Sequence, residues 1–173
     1  MKLIAAADKF NGIGKRSGEL LFRIPEDMQR FKALTVGNTV IVGRKTLESF
    51  PGGTPLPNRR NIILSRQREH PDNGAVYCGS LEELRSLLSE LDGEIFVIGG
   101  GEIYRCLMPL CDTAYITRID ADGGGEVFLP PMGDLWSLTE RSEKQEYNGI
   151  EYWFETYKRQ TLCPSCLAVP SAY

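Results

Sequence analysis

The sequence holds a single histidine, His70, inside Glu-His-Pro-Asp-Asn. That surrounding is turn chemistry, which places the ring at the surface. One histidine also excludes a His-based metal cluster, and its turn setting argues against a Ser-His-Asp triad. Cysteine is sparse as well. Cys78, Cys106 and Cys111 are scattered, and Cys163-Pro-Ser-Cys166 lacks the second ligand pair a structural zinc needs. None of these thiols has neighbours that would activate it. Long apolar runs are missing: Leu3–Ala7 is too short for a signal-peptide core, and no run approaches a membrane span. An excess of positive charge is missing too, since 20 Lys and Arg face 23 Asp and Glu for a net charge of −3. That balance argues against a nucleic-acid surface. The expectation is a cytoplasmic chain that uses no metal, nucleic acid or membrane.

With 173 residues, 42% hydrophobic and 25% charged, the chain suffices for one domain with a substantial core. Short apolar runs at Leu3–Ala7, Thr39–Val42, Asn61–Leu64, Ala75–Tyr77, Ile95–Ile98 and Tyr115–Ile119 read as strands. Helical segments alternate with them. One starts at Ser80-Leu-Glu-Glu83, which fits a capping box; a short one follows Gly43, and another runs through Tyr104 to Leu107 and stops at Pro109. Alternation of this kind implies an α/β fold with a parallel sheet. Asn148-Gly149, between two apolar runs, signals a terminal antiparallel hairpin. Lys9–Arg23, with three glycines, reads as a long loop, and loops of that length in compact domains are usually functional. Thr161–Tyr173 has no periodicity and reads as a tail.

The most informative stretch is Ile24–Thr35. Pro25 suits the first helical position, and Glu26 and Asp27 suit the first turn. Asp27, Met28, Phe31, Leu34 and Thr35 fall on one stripe, while Glu26, Gln29, Arg30 and Lys32 point elsewhere. A carboxylate on an apolar stripe is costly to bury unless donors meet it. Asp27 therefore either stabilises a helix start near the surface or holds a ligand.

Three strand ends offer groups for anions. Gly99-Gly100-Gly101 joins a strand to a helix without the third glycine of a Rossmann fingerprint, since position 104 is Tyr. Gly43-Arg44-Lys45-Thr46 and Ser65-Arg66 follow two further strands, and arginine forks suit phosphate. Ligands of α/β sheets gather at the carboxyl ends of strands. One carboxylate, several anion sites and a long loop together fit a phosphorylated cofactor that carries the hard chemistry itself.

These residues resemble the dihydrofolate reductase family, in order from Met1 to about Arg159. The segments that carry the resemblance are Leu3–Ala6, Gly12-Ile13-Gly14, Ile24–Asp27 with Phe31-Lys32, Thr39–Thr46, Pro55–Ser65, Val97–Tyr104 and Tyr115–Asp120. The resemblance implies a central eight-stranded, mixed but mostly parallel sheet flanked by helices, with residues 1–159 as the domain and 160–173 as a tail. It implies reduction of 7,8-dihydrofolate to tetrahydrofolate with NADPH, by hydride transfer to pterin C6 and protonation of N5, in a monomer that also binds antifolates. By the same resemblance Asp27 holds the pterin, Thr117 supports it, and Phe22 stands in the lid. Ile4, Ala5, Met28, Phe31, Phe50, Leu56 and Ile98 line the substrate pocket, and Arg59 pairs with the glutamate carboxylate. Ala6, Ile13, Gly14, Gly43, Lys45, Thr46, Leu64 and the run Ile98, Gly99, Gly100, Gly101, Glu102, Ile103, Tyr104 hold the cofactor. Arg44, Ser65 and Arg66 read its 2′-phosphate. The resemblance also implies a cis Gly99–Gly100 peptide.

Departures from the family pattern are Leu21-Phe22 where Pro-Trp is common in the lid, and Glu126 where an Asp often steadies the closed lid. Two other readings are a same-fold NADPH reductase of a ribosylaminopyrimidine in riboflavin synthesis and a silent nucleotide-binding protein. Asp27 together with Phe31 and Arg59 favours folate over the first, and the retained Asp27 argues against the second.

Overall fold

The computed structural model describes residues 1–67 and 69–160. Arg68 and the tail with Cys163 and Cys166 lie outside the described residues. The first strand, β1 (Lys2–Ala7), leads through β2 (Gly12–Gly14) to helix α1 (Pro25–Thr35). Then come β3 (Thr39–Gly43), α2 (Arg44–Glu48), β4 (Arg60–Leu64), β5 (Val76–Cys78) and α3 (Leu81–Ser89). Strand β6 (Ile95–Gly99), α4 (Gly101–Leu107), β7 (Thr113–Ile119) and the short β8 (Val127–Phe128) follow. The chain closes with β9 (Trp136–Arg141), β10 (Gln145–Tyr147) and β11 (Ile150–Arg159).

The sheet runs β10-β11-β7-β1-β6-β3-β4-β5, with β9 also pairing β11. It is eight strands wide, because β10 pairs residues 150–152 of β11 and β9 pairs residues 155–159 of the same strand. Pairings from β7 through β5 are parallel, and those made by β11 are antiparallel. The hairpin forms as expected: Tyr147 faces Ile150 across Asn148 at φ 52 and Gly149 at φ 78, the left-handed pair a type I′ turn requires.

Alternation along each strand feeds two layers. Leu3, Ile41, Ile62, Val97, Ala114 and Ile116 face one side and pack with Leu84 of α3 and Leu107 of α4. Ile4, Val40 and Phe96 face the other side under Phe31 and Leu34 of α1, and Val42 and Ile63 pack with Leu47 of α2. Strands buried on both faces read as continuous apolar runs, which explains why they were visible in the sequence. Lys9–Arg23, expected to be all loop, contains β2, which pairs antiparallel with β8. Gly-Ile-Gly carries no strand signal of its own; the pairing is made by tertiary context.

One buried charge helps bind the antiparallel edge. Glu155 of β11 is fully buried. Its Oε1 accepts from Arg141 Nε at 2.9 Å and Nη2 at 2.6 Å, its Oε2 accepts from Tyr157 at 2.9 Å, and Arg118 Nε lies 3.7 Å away. Removing a partner from such a cluster strands the others. Glu155→Ala is expected to lower unfolding stability by about 3 kcal/mol, read as a fall in the urea midpoint with an unchanged slope.

Candidate active site

Strands β3 and β6 are neighbours, yet their chains leave in opposite directions: β3 through α2 to β4, β6 through α4 to β7. A crevice opens at the carboxyl ends of such a pair, where ligands of α/β sheets bind. The two turns there are closely packed, each glycine against a side chain of the other turn. A methyl on Gly43 would meet Ile103 Cγ1 at 2.9 Å, and one on Gly100 would meet Thr46 Oγ1 at 2.9 Å. Gly99 sits at φ 117 and the Gly99–Gly100 peptide is cis, as the resemblance implied. Leu64 lies beside Gly43 in register, which brings Ser65 and Arg66 to the same edge. Gly43 to Thr46, Leu64 to Arg66 and Ile98 to Tyr104 thus meet at one rim, with Ala6 and Ala7 at the end of β1 nearby. The Tyr104 hydroxyl donates to Ile4 O at 2.7 Å and ties α4 to β1. Arg66 is exposed, while Arg44 pairs with Glu48 one turn along α2. An exposed pair of that kind is weak and exchanges readily for a stronger anion.

A second groove lies between α1 and the sheet. Asp27 is half-buried and its Oδ1 accepts from the Thr117 hydroxyl of β7 at 2.5 Å. Phe31 and Ile98 pack in one cluster with Ile4, and Ile98 packs with Phe50 in the next. Leu56 is fixed by Asn61, whose Oδ1 accepts from Leu56 N and whose Nδ2 donates to Leu56 O, both at 2.9 Å. Met28, on the predicted stripe, is 46% exposed and so is not part of the core. Arg59 is pre-set: Nε donates to Thr35 Oγ1 and Nη1 to Pro57 O, each at 2.8 Å, with the guanidinium 5.7 Å from the Phe31 ring centre. An open cleft of about 440 Å³ shares Arg59 but lies at the amino ends of β3 and β4, away from the glycine rim.

The segment between β1 and α1 covers this region. Ile13 packs against the main core, and Phe22 packs with Ile24, Ile119 and Tyr152 next to Ala6. Its anchor is Asp8, 1% exposed, whose carboxylate accepts from the amides of Phe10, Gly12 and Gly123 at 2.9, 2.7 and 3.2 Å. Glu126 accepts from Arg16 N at 3.0 Å and its amide donates to Gly14 O at 3.0 Å, the steadying contact expected of that position. Asp8 escaped the sequence reading because a lone acid before a loop is unremarkable until its backbone donors are seen.

Comparison with known proteins agrees with this geometry. The dihydrofolate reductase family model matches residues 1–159. The chain is 40% identical over 157 residues to the dihydrofolate reductase of Mycobacterium leprae, which covers 88% of this chain and 94% of that one. It is 40% identical over 159 residues to that of Neisseria meningitidis, covering 91% and 96%, and 37% identical to dihydrofolate reductase type 3 of Salmonella typhimurium, covering 92% and 98%. A solved dihydrofolate reductase of Enterococcus faecalis, complexed with NADP(H) and RAB-propyl, superimposes with a TM-score of 0.84 at 31% identity, covering 92% of this chain and 96% of that one. The chain belongs to the dihydrofolate reductase family.

Within that family setting, the electrostatics of Asp27 become informative. Burial pushes its carboxyl above the ordinary 3.8, and the Thr117 hydrogen bond and the Arg30 charge partly oppose the rise. Arg30, expected to point away from the stripe, does not: it packs over the rings of Tyr115 and Phe154. The long stem of arginine lets the head fold back onto the sheet, which helical spacing alone does not reveal. A dihydrofolate reductase that buries this acid gives up stability for it. A carboxyl whose folded-state pKa is raised favours folding below its unfolded value, and that advantage is lost as pH rises through the folded value. Asp27→Asn is therefore expected to raise the thermal midpoint at pH 7, with the gain vanishing below about pH 4, in a series of melts across that range.

Proposed function

We infer that this chain reduces 7,8-dihydrofolate to 5,6,7,8-tetrahydrofolate with NADPH, as an oxidoreductase of tetrahydrofolate and one-carbon metabolism acting on CH–NH bonds with NADP as acceptor. The observation that carries the reading is the pairing of two features in one groove: a half-buried carboxylate with its own hydroxyl donor, Asp27 with Thr117, and a guanidinium held ready at the far end, Arg59. A flat heterocycle bearing an amino group beside a ring N–H presents the two-donor fork that a carboxylate matches. The glutamate carboxylate of the same substrate suits Arg59, whose guanidinium is held below its ordinary pKa by burial and gains from an anionic partner. Ile4, Ala5, Met28, Phe31, Phe50, Leu56 and Ile98 then supply the apolar walls.

The glycine rim fits a dinucleotide. Added methyl groups at Gly43 and Gly100 would meet Ile103 and Thr46, so these glycines are what let the two turns close up at the rim where strand-end backbone amides gather. Gly43, Lys45, Thr46 and the run from Gly99 to Tyr104 would hold the pyrophosphate region, Ala6, Ile13 and Gly14 the nicotinamide end, and Arg44, Leu64, Ser65 and Arg66 the adenosine phosphate. When bound, NADPH supplies the hydride that reaches pterin C6. Asp27 orients the pterin and favours its protonated form, and it grips the ring on the side away from N5. A water is therefore the proton donor at N5. Phe22, lacking an N–H, contributes an apolar wall, and the segment from Lys9 to Arg23 excludes bulk water while the reacting carbons are held together.

Residues 1–159 form the catalytic domain in this reading, with residues 160–173 as a tail. It works in the cytoplasm as a monomer, on dihydrofolate and antifolates rather than nucleic acid. No helix among the described residues is long and apolar enough to cross a membrane. The family match does not favour the ribosylaminopyrimidine alternative.

The direct test is loss of NADPH absorbance on adding dihydrofolate, abolished by methotrexate; oxidation that ignores the antifolate would refute the assignment. Asp27→Asn is expected to lower kcat/KM at neutral pH by at least a hundredfold, with partial recovery in acid as the pterin becomes protonated in solution; a full rate at pH 7 would overturn the role given to the carboxylate. Arg66→Ala combined with Ser65→Ala is expected to cut kcat/KM for NADPH about tenfold or more and to leave NADH unchanged. Parallel assays with the two cofactors measure it.

A further inference from the structure

Among the described residues, Arg30 Nη1 is the one buried side-chain nitrogen or oxygen without a hydrogen-bond partner. A guanidinium has five donors and no acceptor, so burying one with a free N–H calls for a reason. Its setting supplies one. Arg30 lies three residues after Asp27 on α1, hence on a neighbouring position of the same face. Its guanidinium carbon is 4.6 Å from the Phe154 ring centre and 5.4 Å from that of Tyr115. Tyr115 and Thr117 alternate on β7 and so share a sheet face, and Phe154 stands opposite Thr117 in register. The arginine head is therefore seated on the same patch of sheet that gives Asp27 its hydroxyl. Two ring faces attract a cation but accept no conventional hydrogen bond.

We propose that Arg30 is a positioning residue for the reaction: its buried charge keeps Asp27 ionised inside the groove and so sets the lowest pH at which the heterocycle is gripped. This rests on the reading of Asp27 as the ligand-holding carboxylate. Every other group acting on Asp27 is neutral or negative. From β7 comes the Thr117 hydroxyl, from α4 the Tyr104 phenol and from β11 the Tyr152 phenol, while the Glu26 carboxylate of α1 acts on Tyr152. The Tyr104 and Tyr152 phenols are pushed above their ordinary range, so they stay neutral at working pH. Tyr115 faces Arg30 itself. Burial drives Asp27 towards its neutral form, and Arg30 is the one positive charge opposing that drive. The pair is not in ion-pair contact, which leaves both Asp27 oxygens free of arginine and the carboxylate able to take a ligand's donors.

The test is a pH titration of the Asp27 carboxyl by carbon-13 NMR in the full chain without ligand, its signal assigned by loss in Asp27→Asn. Arg30→Met is expected to raise the titration midpoint by about one pH unit or more, and Arg30→Lys to stay near the wild-type value. Arg30→Gln, which keeps a planar polar head without charge, serves as a second neutral variant should Arg30→Met melt too low to titrate. The acid limb of methotrexate affinity against pH is expected to move by the same amount in the neutral variants. A midpoint unchanged in a folded neutral variant overturns the proposal. A shifted carboxyl with no acid limb in the wild type would refute the grip of Asp27 on the ligand and so the role in the reaction. A role in packing alone would change melting temperature and leave both titrations where they were.

Discussion

A carboxylate half-withdrawn from water is the constraint around which this molecule is arranged. Asp27 sits at the start of α1, where helix geometry welcomes negative charge, but it is turned towards the sheet and half-buried against β7. Its Oδ1 is answered within the protein by Thr117, and in the proposed function its other side takes the ligand. That division is what makes the residue useful. Complete pairing inside the fold would leave nothing to bind with, and no pairing would leave a buried acid in its neutral form. The parallel order of β1, β6, β3 and β4 serves the same end. It brings the carboxyl ends of these strands to one rim, so that the groove under α1 opens beside the glycine turns.

The strands were legible because burial on both faces makes them short, nearly uninterrupted apolar runs. The hairpin at Asn148-Gly149 was legible because left-handed backbone at both central positions selects those residues. Asp27 stood out because a charge on an apolar stripe is anomalous whatever the fold. Other features had no such mark. Strand β2 is three residues long and exists through β8, which lies more than a hundred positions away. Glu155 lies in an amphipathic strand where alternation allows either face, and only the approach of Arg141, Arg118 and Tyr157 shows it to be inside. Helical spacing points Arg30 outward, the ordinary fate of a helical arginine. Its stem is long enough to defeat that expectation.

The covering segment is tied to the core by a run of charged groups rather than by apolar packing alone. Arg118 approaches Glu155 at its Nε, while its Nη1 donates to Asp8 O at 3.0 Å and to Asn11 Oδ1 at 2.9 Å. Asp8 in turn collects the amides of Phe10, Gly12 and Gly123. The contacts are graded: those made with the buried carboxylates of Asp8 and Glu155 are buried or part-buried, and those of Arg16 with Glu126 and of Lys15 with Gly124 are exposed. Exposed hydrogen bonds exchange with water at little cost, whereas buried ones leave stranded groups when broken. The base of the segment is therefore fixed and its outer part is free to open. A cover for a site that must admit two ligands and then exclude water needs that gradient, and here it follows from which carboxylates the fold has buried.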